Sequence, residues 1–323
     1  MRVRAFAAAV AIAAGLGSAQ TAPAQVFPSK SIRVVLLGSP GGSTDLLARA
    51  VSQHMSEAFG QQVVVDNRPG GGGIIAAEIT AKANPDGHTT LWTHTSHTVL
   101  PSLHKTLPIE PIRDYAPVSL VALFPGVLVV NNALPVKSVK DLITLAHAQP
   151  GKLNYAAGTT GASAHLSGEL LKLMAGVNII HVPYKGTAMQ LTSVISGESQ
   201  MTFASLPAAM PHVQGGRVRA LAIGSAKRSP VLPDLPTVSE AALPGFDVSA
   251  WNGILAPRRT PQNVIARLNR EIARVVQIPE MKDRAAAQGA ELVSNSPEEF
   301  SAYLAAQIEK WGKVVKAAGI RPD

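Results

Sequence analysis

No cysteine occurs anywhere in the 323 residues. That excludes disulfides, a thiolate nucleophile, Cys-ligated zinc and a lipidated N-terminal cysteine. Aromatic residues are scarce, at 4%, and charged residues make up only 15%. The formal charge of +8 is spread along the chain, with no dense Lys/Arg run and almost no aromatic beside the basic residues, so nucleic acid is not an expected partner. Beyond the N-terminus no stretch is apolar for long enough to span a bilayer. A hydrophobic share of 46% is that of an ordinary globular chain, and the length allows two domains or lobes.

The N-terminus reads as an export signal. Arg2 and Arg4 precede an Ala/Val/Ile/Leu run from Ala5 to Leu16, and small residues then lead to Ala22-Pro23-Ala24. This is the layout of a secretory leader, with cleavage expected after Ala24 and Ala19 as the alternative. Removing 1–24, which holds no acid, takes the formal charge from +8 to +6. The expected location is the bacterial periplasm.

What remains alternates short apolar runs with helical periodicity. Ile32-Arg33-Val34-Val35-Leu36-Leu37 reads as a buried strand, followed by Gly38-Ser39-Pro40-Gly41-Gly42-Ser43-Thr44-Asp45 and then Leu46, Leu47, Ala50, Val51, Met55 and Phe59 at helical spacing. A Gly-rich turn between strand and helix aims the helix's unpaired amides outward, which makes an anion site. The same device recurs once: Asn154-Tyr155-Ala156-Ala157 runs into Gly158-Thr159-Thr160-Gly161-Ala162-Ser163 and a helix with Leu166, Leu170, Leu171 and Met174 on one stripe.

Other strands are expected at 63–65, 89–92, 179–182, 201–203, 220–223 and 249–256, and helices at 74–83, from Ser138 to Pro150, and along the C-terminal stretch. Ser296-Pro297-Glu298-Glu299 is a capping box with Pro at the first helical position. Residues 229–246, rich in Pro, are expected to form an ordered loop. The apolar stretch 118–130, broken by Pro125-Gly126, is long enough for a strand that leaves one sheet and enters another. The alternation implies a mostly parallel sheet with helices on its faces. The plan is two α/β lobes, 25–124 with 249–323 and 125–248, joined by crossings near 125 and 248 and meeting at a cleft.

Several chemistries fit poorly. No G-x-G-x-x-G follows a strand, no G-x-x-x-x-G-K-[ST] occurs, and Pro40 stands where a dinucleotide turn needs freedom. Gly161-Ala162-Ser163-Ala164-His165 begins like a nucleophile elbow but ends in His, and Ser163 is better explained as a helix N-cap. His94-x-x-His97, with His88 and His104 nearby, is the one His cluster, placed on a loop at a strand's end, but the near acids, Asp86 and Glu110, are not spaced to orient metal-bound imidazoles. Asp45, in a first helical turn, favours the helix dipole or touches ligand. Loops lined by Gly, Ser, Thr and His and nearly bare of acids suit binding an anion better than catalysis.

In order and spacing, Pro40-Gly41-Gly42-Ser43-Thr44-Asp45 with Arg49, Val64 to Gly70 with Gly73, Pro85-Asp86-Gly87, Gly151 to Tyr155, Val182 to Gly186, Gly216 to Ala222, Leu235-Pro236-Thr237 with Glu240, and Trp251 to Pro257 resemble the Bug-type receptors of tripartite tricarboxylate transporters. The resemblance implies a type II periplasmic-binding-protein fold closing on a small organic acid, with no catalysis, cofactor or metal. It implies partners that are membrane transporter subunits or, alternatively, a sensor protein, and a monomeric chain; a secreted serine hydrolase is the other alternative. Carried over residue by residue, the ligand contacts are Gly38, Ser39, Gly41, Gly42, Ser43 and Thr44 on one lobe. On the other they are Thr159, Thr160, Gly161, Ala162 and Ser163, with His97, Ala204 and Ser205 as wall positions. The family often has an aromatic where Gly38 stands and an acid where Ala204 stands. Their absence leaves room and disfavours a ligand carrying an ammonium group.

Overall fold

A computed structural model describes residues 27–158 and 160–320; the expected leader and Thr159 lie outside the described residues. The chain begins with strand β1 (Ile32–Leu36), helix α1 (Ser43–Phe59), β2 (Val63–Asn67), α2 (Ile74–Ala81) and β3 (Thr89–His94). Helix α1 buries Leu47, Val51 and Met55 along one stripe and stops at Gly60, whose φ of 62° forms a left-handed cap. Helix α3 (Ser96–Leu103) follows β3 directly. A loop is expected here at the strand's end, yet a helix forms with Pro101 inside it and buries His97, Thr98, Val99 and Leu100.

Strand β4 (Tyr115–Asn131) is continuous through Pro125-Gly126. Helix α4 (Val139–Ala148) starts at Ser138, whose hydroxyl accepts the Asp141 N–H at 3.1 Å. Then come β5 (Asn154–Ala157), α5 (Ser163–Ala175), β6 (Ile180–Pro183), α6 (Thr187–Ser196), β7 (Met201–Ser205), α7 (Leu206–Gln214) and β8 (Val218–Ile223). The expected loop at 229–246 holds a single helical turn, α8 (Val238–Ala241), fixed by a Thr237/Glu240 capping box. Strand β9 (Ser249–Pro257), α9 (Gln262–Val275), α10 (Pro279–Ala287), β10 (Glu291–Leu292) and α11 (Pro297–Ala318) complete the chain. The Ser296/Glu299 box opens α11 as its sequence requires.

The sheet order is β2-β1-β3-β9-β4-β7-β5-β6, with β8 and β10 also paired to β4. Strands β1, β2 and β3 are parallel, as are β5, β6 and β7. Between these groups β4 runs antiparallel to β9 as far as the Pro125–Ser249 pair, and to β7 from the Gly126–Ser205 pair onward. The chain therefore crosses between the two halves at 125/126 and returns at 248/249. Gly224 stitches the crossings together, donating to the Gly126 carbonyl at 2.8 Å and accepting from the Val248 N–H at 2.7 Å.

Each half packs its own core. Ile32, Leu36, Leu47, Trp92, Leu268 and Ile272 sit in one cluster, and Leu128, Tyr155, Leu166, Leu171 and Phe246 in another. Helix α11 serves both sides. Its Phe300 and Leu304 pack with Trp251 and Leu255, whereas Trp311, Val314 and Val315 pack with Leu166 and Leu171.

Phe300 also fixes how tightly α11 can approach β9. A Cβ at Gly253 would fall 2.3 Å from the Phe300 ring, which is itself held edge-on by Trp251 at 5.9 Å. Gly253→Ala should therefore destabilise the fold by about 1–3 kcal/mol. Urea denaturation would measure this, and Phe300→Leu in the same background should recover part of the loss.

Candidate functional site

The two strand–turn–helix devices are built alike. After β1, Gly41 adopts a φ of 81°; after β5, Gly161 adopts 80°. L-residues with a Cβ rarely occupy this region. In each turn the glycine N–H is given to the side chain four residues later: Gly41 to Asp45 Oδ2 at 3.0 Å, Gly161 to His165 Nδ1 at 3.3 Å. The next residues, Gly42 and Ala162, are extended N-caps, and their carbonyls accept the first helical bonds from Leu46 and Leu166, each at 2.9 Å. Ser163 is thus the first helical residue and not the N-cap expected from sequence, because the backbone turns helical only after Ala162. The N–H groups of Ser43, Thr44 and Asp45, and of Ser163, Ala164 and His165, lie in first turns with no intrahelical acceptor.

Asp45 is an anchor. It is 3% exposed, and burial alone would raise its pKa, but hydrogen bonds from Arg49, Gly41 and Asn67 and the Arg49 charge outweigh this and hold it below the usual carboxylate value. Arg49 Nε reaches Asp45 Oδ2 at 3.0 Å, and Asn67 Nδ2 reaches Asp45 Oδ1 at 2.9 Å and the Gly38 carbonyl at 3.1 Å. The first loop is tied to β2 in this way, and the carboxylate's charge is balanced before any anionic ligand arrives.

The two turns border one cavity of about 610 Å3. Of the residues singled out in the sequence, Ser39, Ser43, Thr44, Thr160, Gly161, Ala162, Ser163 and Ser205 line it. Gly38, Gly41 and Gly42 shape the first turn without lining the cavity, and Thr159 lies outside the described residues. Ala204 lines an adjoining cavity of about 560 Å3, which shares Phe124, Ala162, Ser163, Ser205 and Ala250 with the first. His97 is fully buried away from both: its Nε2 pairs with the Pro111 carbonyl at 2.9 Å and its ring meets Tyr115 edge-on. His94, at the end of β3, lines the cavity instead.

The sequence reading did not name several other walls. Pro69, Gly70, Gly72 and Gly73 contribute one, with φ at Gly70 through Gly73 of 112°, 57°, 63° and 103°. A Cβ at Gly73 would sit 3.0 Å from Leu37. The signal was the glycine run after β2, quoted for its family likeness but not for its shape. Val99, Leu100 and Leu103 on α3, and Trp251 and Asn252 on β9, form the rest.

Among the described residues, no Asp, Glu, Lys or Arg lines this cavity. Burial, with a smaller contribution from His97, lowers the pKa of His94 to about 4, so it is neutral at physiological pH. His94 Nδ1 accepts from the Ser96 N–H at 3.3 Å. The His88–His104 region brings no group of three metal-ligating side chains together among the described residues; His88 is engaged with the Ser29 N–H at 3.2 Å. The arrangement offers neutral donors and helix-terminal amides to an anion, and His165 Nδ1 accepts the Gly161 N–H of its own turn.

Two outcomes follow. Asp45→Ala strands the Gly41 and Asn67 donors, and should cost about 1–3 kcal/mol in chemical denaturation. His97 stays uncharged in the fold because burial lowers its pKa from 6.5 to about 4. Its contribution is therefore intact above pH 6.5 and lost as pH falls toward 4, since the unfolded state takes up the proton first. Between pH 7 and about pH 4.5, His97→Gln should lose roughly 2 kcal/mol less stability than the unmodified chain, read from denaturation curves at each pH.

Comparison with known proteins identifies the family. Residues 47–320 match the tripartite tricarboxylate transporter family receptor. The Bordetella pertussis protein BugT is 36% identical over 307 residues, covering 94% of each chain. A Rhodopseudomonas palustris protein solved with adipate is 38% identical, with a TM-score of 0.76 over 92% of this chain and all of that one. MatC from the same organism, solved with bound malate, is 32% identical, with a TM-score of 0.72 over 90% of this chain and all of that one. Two lobes, a cleft between them and a pair of crossings make this a type II periplasmic-binding-protein fold, and the chain belongs to the tripartite tricarboxylate transporter receptor family, the Bug-type receptors.

Proposed function

We propose that this chain captures a small organic carboxylate between its lobes and delivers it to membrane subunits of a tripartite tricarboxylate-type transporter. It works in the periplasm as a monomer, after removal of residues 1–24. The observation that carries the reading is the pair of matched turns facing one cavity free of charged side chains among the described residues. A carboxylate seated there meets first-turn amides of α1 and α5 and the hydroxyls of Ser39, Ser43, Thr44, Thr160 and Ser163. Gly38, Gly41, Gly42, Gly161 and Ala162 give the backbone its approach, and Thr159, outside the described residues, is retained as a proposed contact. Ser205 is a wall residue, Ala204 lines the adjoining space, and His94 takes the wall position expected of His97.

The lobes are 25–124 with 249–323, and 125–248; the change of strand partner between Pro125 and Gly126 supports this division. The far end of α11 packs against the second lobe. The ligand touches both helix termini only when the lobes are together, and that difference in affinity between open and closed forms is what shifts their populations. No step makes or breaks a bond.

Native mass spectrometry of protein isolated from its host should show a bound organic acid. Thermal-shift screening of mono-, di- and tricarboxylates should then find acids that stabilise the chain by about 2.7 kcal/mol at a hundredfold excess over Kd. The reading fails if no acid raises the melting temperature while sugars or amines do.

A further inference from the structure

The turns account for one carboxylate; the rest of the cavity describes the rest of the ligand. Beside the turns the cavity is lined by Leu37, just past β1, Val99, Leu100 and Leu103 on α3, Phe124 on β4 and Trp251 on β9. The apolar edge of α3 reaches toward both sides of the cleft. Leu100 Cδ2 lies 3.6 Å from where a Cβ would stand on Gly72, and Leu103 Cδ1 lies 3.3 Å from the same point on Gly161. A body filling this space is packed by aliphatic side chains from α3 whichever turn holds its head.

Most polar groups on this wall are already committed; the Trp251 indole Nε1–H, buried and without a hydrogen-bond partner, is an exception. Asn252 accepts from Trp92 Nε1 at 3.1 Å and donates to the Trp251 carbonyl at 2.9 Å. Thr95 Oγ1 accepts from the Trp251 N–H at 3.1 Å. His94 is neutral, its pKa lowered to about 4 chiefly by burial. A second carboxylate here would be buried with no Lys or Arg beside it and with the Trp251 indole N–H as its one unpaired buried donor, too little to replace its hydration. The adjoining cavity offers one cation, Lys185, but its side chain is solvent-exposed, and an exposed ion pair contributes little. Neither cavity has an acid among its described lining residues to neutralise an ammonium group.

We propose that the ligand is a monocarboxylic acid with an apolar body, aromatic or aliphatic, whose head sits on the two turns and whose body packs on Leu37, Val99, Leu100 and Leu103. This rests on the reading of the turns as a carboxylate clamp. Each methylene buried on that wall adds about fourfold in affinity, so chain length is a direct probe.

Isothermal titration of the purified exported chain at pH 7.5 with benzoate, phenylacetate, butanoate, hexanoate, malate, adipate and citrate tests it. The apolar monoacids should bind at least tenfold more tightly than the di- and tricarboxylates, and hexanoate at least fourfold more tightly than butanoate. Leu103→Lys should weaken hexanoate at least tenfold and tighten adipate. Leu103→Gln, a milder change at the same half-buried position, should weaken hexanoate alone, with melting curves confirming that both variants fold. Adipate, malate or citrate binding more tightly than every monoacid overturns the proposal and leaves the clamp standing. Failure of all seven acids overturns both.

Discussion

Everything about the cleft depends on β4 belonging to two sheets at once. From Tyr115 to Pro125 its hydrogen bonds go to β9, and from Gly126 to Asn131 they go to β7 and β8. One continuous backbone therefore sets where β1 ends on one side and where β5 ends on the other. Both parallel groups present their carboxyl ends to the same space, which is where open α/β sheets hold ligands. A break at Pro125-Gly126 would leave the two helix termini related only through the return crossing at 248/249 and α11.

Within that frame the turns solve a local problem in the same way twice. A glycine amide at positive φ would compete for whatever sits in front of the helix, and each turn removes it by giving it to the side chain four residues on. The choice of acceptor differs: an Asp neutralised by Arg49 in the first turn, a His in the second. In both, the remaining first-turn amides stay directed outward. On the proposed reading, affinity for an anion comes from backbone and dipole, and side chains are left to decide shape.

That division explains what could be read from the sequence. Strand–turn–helix units are local, so both Gly-rich turns, the Ser138 and Ser296 caps and most of the apolar stripes of α1 and α5 were legible, Leu46 and Met174 being exposed instead. So was the double role of the stretch around Pro125, because its length exceeded one ordinary strand. Helix α3 was not legible: Pro101 masks its periodicity, and its helical form depends on packing against α11 and the cavity. The exchange of His97 for His94 as the lining residue has the same origin, since the start of α3 decides which of them faces inward. Ser163 was assigned one position too early in the helix because capping follows the backbone turn at Gly161 and not side-chain preference. The glycines at 70–73 could be seen as a run, but their part in the wall depends on Leu37 and Leu100, which no local pattern places beside them.

Helix α11 has its own consequence for motion. Between Phe300, set in one core, and Val315, set in the other, lies a rod of about 22 Å. A rod embedded at both ends does not stretch, so the two halves cannot draw straight apart. Their remaining freedom is to turn about its length, like covers about a spine. The width of the mouth is then governed by an angle, and the residues farthest from α11 travel most.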